Sequence, residues 1–183
     1  MNQESAPSAL ARGILLRHHA FLRKQLVRAI DFNSALVLER RQPLCAILLP
    51  LYRLFEQLRD ELEDYLELED ADLFPSLLEL DAGRFPAADV AETIRLLKYG
   101  QAALSSVMSE MREITQGFLA PPGGCASYVG LLHVLAAIRT ELLLQFQLEN
   151  DQLFPDALRL ARRQHPVPEP RGTHRPLSTA GLQ

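Results

Sequence analysis

The chain has 183 residues, of which 48% are hydrophobic and 23% are charged, with a formal net charge of −4. Its length suits one domain with a sizeable core and argues against two. The mildly acidic balance offers no basic surface to a phosphate backbone, so no nucleic acid is expected as a direct ligand.

The two cysteines, Cys45 and Cys125, stand in unlike contexts and lack CxxC spacing. Neither a disulfide framework nor a thiolate zinc site is therefore indicated. The first residues contain no long apolar run, and no stretch of about 18 apolar residues occurs in the chain. We expect a soluble cytoplasmic protein with no membrane partner.

Helical periodicity dominates the chain, because Leu, Ala, Glu, Gln and Arg fill its long segments while β-branched residues are sparse. Taken in chain order, the pattern predicts four helices, at about residues 7–32, 44–73, 87–118 and 127–153. Pro75 and Pro155 are predicted to end helices, and DAGRFP (81–86) and APPGG (120–124) are rich in turn residues. Short connections favour an all-α, antiparallel up-down four-helix bundle.

The domain boundaries follow from changes in composition. We expect a flexible N-terminus at residues 1–11 and the bundle at residues 12–161. From Arg162 the sequence RRQHPVPEPRGTHRPLSTAGLQ gains prolines and loses apolar periodicity. Residues 162–183 are therefore predicted to form a disordered tail.

Two segments repeat, YLELEDADLFP at 65–75 and QFQLENDQLFP at 145–155. Each lies toward the C-terminal end of a predicted helix, and the two share a Leu, a Glu and a LeuPhePro ending at equal spacing. The repeat predicts a pseudo-symmetric pair of helix pairs, each of which contributes one glutamate at the same level.

Every predicted helix interrupts its apolar stripe with polar side chains, at spacings of three and four residues. These side chains are His19, Tyr65, Glu69, Gln101, Gln145 and Glu149. In a bundle they converge on one buried layer, where unpaired carboxylates would cost several kcal/mol. The two carboxylates are therefore paired either with two metal ions or with hydrogen bonds donated by the Gln amides and the Tyr hydroxyl.

Three pieces of sequence carry a family resemblance: HAFLRKQL at 19–26, the two LeuPhePro repeats, and MREITQGFLAPPGGCASY at 111–128. On these pieces residues 12–160 resemble the hemerythrin-like (HHE) proteins, and among them the di-iron proteins that repair iron–sulfur clusters after nitric oxide or oxidative damage. The resemblance implies that Glu69 and Glu149 bridge two irons and that His19 is a ligand from the first helix.

Tyr65, Gln101 and Gln145 stand where the family carries further histidines, so the chain departs from the pattern at three ligand positions. An amide oxygen is a weaker iron ligand than an imidazole, and a phenol ligates only once deprotonated. Changing even the partners of metal ligands costs roughly 10–100-fold in affinity. We therefore expect that the di-iron centre is lost, that the metal site is vestigial, and that no cofactor is resident, iron being the one candidate.

Three hypotheses for function remain open. The first is a bundle that is not an enzyme and acts as a binding or regulatory module in the stress response, with an unknown protein partner, as a monomer or homodimer. The second is an iron-binding variant that donates or senses iron through His19, Glu69 and Glu149. The third is a sigma-factor-binding transcription regulator, which a phrase of the fourth helix resembles loosely.

The remaining features have plainer interpretations. His18 is predicted to face solvent or a groove, because adjacent α-helical residues point about 100° apart. His133 is predicted at the surface, and the acidic run DELEDYLELEDAD at 60–72 as a solvated helix face. No GxGxxG, GxxxxGK[ST], HExxH or GxSxG pattern occurs in the chain.

Overall fold

A computed structural model describes residues 6–39 and 45–164, and within these ranges every regular element is helical. The α-helices are α1 (Pro7–Ile14), α2 (Ala20–Glu39), α3 (Cys45–Leu68), α4 (Phe74–Asp81), α5 (Val90–Ile114), α6 (Ala126–Leu148) and α7 (Phe154–Gln164). Turns of π-helix join α1 to α2, α3 to α4, and α6 to α7, at Leu15–His19, Glu69–Leu73 and Glu149–Leu153. The helices and π turns thus form four long rods in the described residues, at 7–39, 45–81, 90–114 and 126–164.

The rods pack as an antiparallel bundle. Along its length α2 lies against α6, and α3 lies against α5. At one end the start of the first rod, α1, meets α4 at the end of the second rod, and the start of α5 meets α7 at the end of the fourth. Rods that follow each other in the chain therefore run in opposite directions, and the predicted four-helix bundle is confirmed.

Pro75 and Pro155 do not end their rods, and this part of the sequence prediction is wrong. Each proline is the second residue of the α-helix that follows a π turn, in α4 and α7. A π turn shifts the backbone bonds from i−4 to i−5, and the first residues of a new helical turn need no N–H donor. The missing N–H and the proline ring are therefore tolerated there.

Both predicted ends of the bundle need correction. Residues 7–11 are not a flexible N-terminus, because they belong to α1 and Ala11 is buried. Residues 162–164 do not belong to a disordered tail, because α7 continues to Gln164, whose Nε2 donates to the carbonyl oxygen of Leu80 at 2.6 Å. The rest of the predicted tail, 165–183, lies outside the described residues.

The third rod has a clear start and end. Asp89 caps α5, since its carboxylate accepts hydrogen bonds from the backbone N–H groups of Ala91 and Glu92 at 2.9 and 3.2 Å. The helix ends at Ile114 rather than at 118, because Gln116, at φ 52°, turns the chain into left-handed backbone.

The fourth rod, residues 126–164, contains a stretch long and apolar enough to cross a membrane by length and composition, of which 39% is buried within the bundle. The same rod turns Gln145 and Glu149 into the protein interior. Since core helices of bundles also carry long apolar stretches, we describe this rod as a core helix.

Candidate functional site

The structure brings together the six polar side chains that interrupt the apolar stripes, and all six are buried. The first rod contributes His19, the second Tyr65 and Glu69, the third Gln101, and the fourth Gln145 and Glu149. We call this set the polar layer. His19 ends one π turn, and each glutamate begins another. Such turns are frequent at functional sites, because the local slip in hydrogen bonding re-aims side chains.

One half of the polar layer is built around Glu69. The Nε2 atom of His19 lies 2.9 Å from Glu69 Oε2. Gln145 Nε2 donates to the same oxygen at 2.9 Å and lies 3.2 Å from His19 Nε2. One carboxyl oxygen thus joins the first, second and fourth rods.

The other half is built around Glu149 in the same way. The hydroxyl of Tyr65 donates a short hydrogen bond to Glu149 Oε2. Gln101 Nε2 donates to that oxygen at 2.7 Å and also to the Tyr65 hydroxyl at 3.2 Å. This half joins the second, third and fourth rods, so the two halves repeat one arrangement about the centre of the bundle.

Two residues outside the layer hold its members in place, and sequence reasoning missed both. Asp70 Oδ1 lies 2.9 Å from His19 Nδ1, while Asp70 Oδ2 accepts from Arg23 at 2.6 Å. Asn150 Nδ2 donates to Gln101 Oε1 at 2.8 Å. Asp70 and Asn150 are equivalent in the repeat, each directly after the repeated glutamate, and this shared polar position was the available signal.

Burial governs the protonation of the layer. It raises the pKa of Glu69 to about 8, and burial together with the neighbouring Glu69 carboxyl raises the pKa of Glu149 to about 8. Burial also raises the pKa of Tyr65 well above its ordinary value, and it lowers the pKa of His19. Each shift favours the uncharged form of its group.

These shifts place the proton shared by His19 and Glu69. A carboxylate can only accept a hydrogen bond, so the contact with Asp70 assigns the N–H of His19 to Nδ1 and leaves Nε2 as an acceptor. The proton between His19 Nε2 and Glu69 Oε2 then belongs to Glu69, whose pKa is raised while that of His19 is lowered. The layer thus neutralises its buried carboxyl groups with protons.

The side chains as arranged do not fit a pair of irons. Glu69 Oε1, Gln145 Oε1 and Glu149 Oε1 are the buried oxygens of the layer that accept no hydrogen bond from the described residues. A di-iron centre in a bundle takes imidazole nitrogens as well as carboxylates, whereas these free acceptors are all oxygens. Among residues 6–39 and 45–164, no group of three or more His, Cys, Asp or Glu is placed to hold a metal ion.

His18 was predicted to face solvent or a groove, and this is wrong. Its side chain is buried and its Nδ1 lies 2.7 Å from Glu141 Oε1 on α6. The reason is the π turn at Leu15–His19, which rotates less per residue than an α-helix, so His18 and His19 both turn inward. His133 is exposed, as predicted.

Comparison with known proteins gives three findings. Residues 11–157 match the family described as the hemerythrin HHE cation binding domain. The iron-sulfur cluster repair protein ScdA of Staphylococcus haemolyticus is 26% identical over 149 residues, which are 81% of this chain and 66% of that protein. The iron-sulfur cluster repair protein YtfE of Pectobacterium carotovorum is 28% identical over 100 residues, which are 55% of this chain and 43% of that protein. The aligned part is less than two thirds of either relative.

Proposed function

The chain belongs to the hemerythrin HHE cation binding domain family, and on that premise we propose that it is a non-catalytic binding or regulatory module whose di-iron centre has been replaced by hydrogen bonds. Its setting would be the bacterial cytoplasm and the response to nitric oxide or oxidative damage. The names of its relatives, iron–sulfur cluster repair proteins, support that setting.

One observation carries the proposal. Tyr65, Gln101 and Gln145, which stand where the family resemblance expects imidazoles, each donate a hydrogen bond to a layer carboxyl group. A pair of irons bridged by Glu69 and Glu149 would take both oxygens of each carboxyl group and would therefore displace the three donors from Oε2, at about 1–3 kcal/mol for each donor left unsatisfied. Competition of this kind adds to the loss of affinity that the missing imidazoles cause.

The network also explains how the bundle stays folded without the charge of a metal. Protons neutralise the glutamates, and the neutral imidazole of His19 is oriented by Asp70. A buried polar group that is hydrogen-bonded costs far less than an unpaired charge. The polar layer then has a structural role, because it fixes the register of the four rods. The surface that binds a partner lies on the outside of the bundle.

Iron content tests the proposal. Protein purified aerobically and supplied with ferrous iron should stay colourless and hold less than about one tightly bound iron per chain. An oxo-bridged charge-transfer band in the same sample would contradict the proposal. It would support the alternative in which His19, Glu69 and Glu149 donate or sense iron.

The third hypothesis, a sigma-factor-binding transcription regulator, is tested by a separate experiment. Recovery of the RNA polymerase sigma subunit with the tagged chain from a bacterial lysate would favour a transcription regulator over a module of cluster repair.

A further inference from the structure

A groove of about 740 Å³ lies on the outside of the bundle between the first and second rods. One wall is the part of α2 from Arg23 to Ile30, and the other runs from Glu63 on α3 to Ala71 in the following π turn. Each wall spans about two helical turns, or roughly 10–12 Å at 1.5 Å per residue.

The groove exposes apolar surface. Leu26, Val27 and Ile30 line it from α2, and Leu66 lines it from α3. Val27 is 59% exposed and Ile30 is half-buried, whereas Leu26 and Leu66 are buried, so the exposed apolar surface comes from Val27 and Ile30. An apolar strip bordered by charged residues is typical of a binding surface.

The charges at the border are unbalanced. Three carboxylates, those of Glu63, Glu67 and Asp70, face one guanidinium, that of Arg23. Arg23 is already paired with Asp70 at 2.6 Å. Glu63 and Glu67 are exposed and form no ion pair with the residues that the structure describes. Two negative charges therefore remain beside the apolar strip, and a complementary occupant must bring positive charge.

The walls also restrict the shape of the occupant. Because both walls are helices, their backbone groups are already bonded and no strand can add to them. The groove has no aromatic residue in its lining, whereas grooves that bind proline-rich segments are lined with aromatic rings. This disfavours the chain's own proline-rich segment at 165–183 and leaves an amphipathic helix.

We propose that this groove binds an amphipathic helix of a partner protein, with its apolar side chains on Val27 and Ile30 and its Lys or Arg side chains beside Glu63 and Glu67. The inference rests on the proposed function as a binding module, and it names the chemistry of the partner.

Synthetic helical peptides of about 14 residues, roughly four turns, test the groove. They share one leucine face and differ in their flanking residues, which are Lys, Gln or Glu. Fluorescence anisotropy with the full chain should show that the Lys peptide binds at least about 10-fold more tightly than the Gln peptide, and that the Glu peptide does not bind.

Variants locate the binding. Glu63→Gln with Glu67→Gln should weaken the Lys peptide about 10-fold, and Val27→Gln should weaken both the Lys and the Gln peptides. The matched control is Glu110→Gln with Glu113→Gln, which removes two carboxylates from a different groove, beside Leu49 and Arg53. This control should leave the affinity unchanged.

The proposal is overturned if the Lys peptide does not bind, or if the control weakens it as much as the groove variant does. It is also overturned if binding appears only after residues 165–183 are deleted, which assigns the groove to that segment. Self-association that Glu63→Gln and Glu67→Gln abolish would assign it to a second copy. Iron is measured on the same samples, so a failure of the groove and a failure of the proposed function remain distinguishable.

Discussion

Tyr65 and Gln145 occupy equivalent places in the internal repeat, and each donates its hydrogen bond to the glutamate of the other repeat. Tyr65 donates to Glu149, and Gln145 donates to Glu69 at 2.9 Å. These two hydrogen bonds link the second rod to the fourth at the same level of the bundle. Each carboxyl group also has a partner in its own half of the bundle, since His19 contacts Glu69 and Gln101 donates to Glu149. The polar layer is nevertheless complete only when the two halves meet, so the halves should fold together.

Gly100→Ala tests the position of the Tyr65 ring. A Cβ atom at position 100 would lie 2.8 Å from Cδ2 of Tyr65, so the ring must move and its hydrogen bond to Glu149 is strained. We expect this change to destabilise the protein by about 1–3 kcal/mol in urea unfolding.

Gly13→Ala is the matched control for that change. Gly13 also lies in a helix, but nothing lies within 4 Å of its Cβ position. Alanine there should stabilise the protein by up to about 1 kcal/mol through helix propensity. Equal effects at positions 13 and 100 would show that the Tyr65 ring is not held as described.

The sequence predicted the polar layer well, for a physical reason. A polar residue on an apolar stripe must turn inward with its neighbours, so periodicity alone locates Gln101 and Gln145. The repeat placed the two glutamates at one level. Predicting which side chains share the buried layer needs only the helical period and the cost of burying polar groups.

The π turns were beyond the same reasoning. A π turn changes hydrogen bonding by one residue and leaves hydrophobic periodicity nearly intact, so Pro75 looked like a helix end. The slip also leaves Leu15 37% exposed and turns His18 inward. Asp70 lies at the edge of the layer, off the buried stripe, and the stripe therefore gave no sign of it.

The stability of the bundle should fall as pH rises from 6.5 to about 8.5. In the unfolded chain Glu69 and Glu149 are ionised in this range, while the folded state keeps their protons up to about pH 8. The folded state binds more protons, so the free energy of unfolding decreases with pH. The expected loss is on the order of 2 kcal/mol for each glutamate, at about 1.4 kcal/mol per pKa unit.

His19 does not disturb this window. Its pKa is lowered from 6.5 on folding, so its contribution reduces stability only as pH falls through 6.5 and below. The control is the double variant Glu69→Gln and Glu149→Gln, which has no carboxyl group to titrate in the layer. Unfolding measured at several pH values should show a flat profile for this variant; an equally steep one would place the titration elsewhere.

Glu149→Gln and Glu149→Leu should differ, although both remove a buried carboxyl group. The amide oxygen of a glutamine still accepts from Tyr65 and Gln101, so Glu149→Gln should lie within about 1 kcal/mol of the parent or above it. A leucine leaves the Tyr65 hydroxyl buried without an acceptor and removes the shorter of the two hydrogen bonds that Gln101 donates, so we expect a loss of about 1–3 kcal/mol. Thermal unfolding of the two variants at one pH measures the difference, and equal stability would contradict the network.

Restoring three imidazoles should restore metal binding. The triple variant Tyr65→His, Gln101→His and Gln145→His removes the three side chains that donate to the layer carboxyl groups. It also places nitrogen ligands around them. With His19 and the two glutamates, the layer then contains the imidazole and carboxylate donors of a di-iron bundle. We expect about two irons per chain and an oxo-bridged charge-transfer band after reconstitution with ferrous iron in air.

A second triple variant separates this effect from the mere addition of histidines. Tyr99→His, Gln147→His and Gln152→His replace the same residue types at exposed positions outside the layer. This variant should bind no more iron than the parent chain. If the two triple variants bind equal amounts, the substitutions at positions 65, 101 and 145 are not what separates this chain from iron binding. If the parent chain already binds about two irons, metal displaces the hydrogen bonds of the polar layer. The cations then replace the protons of the carboxyl groups.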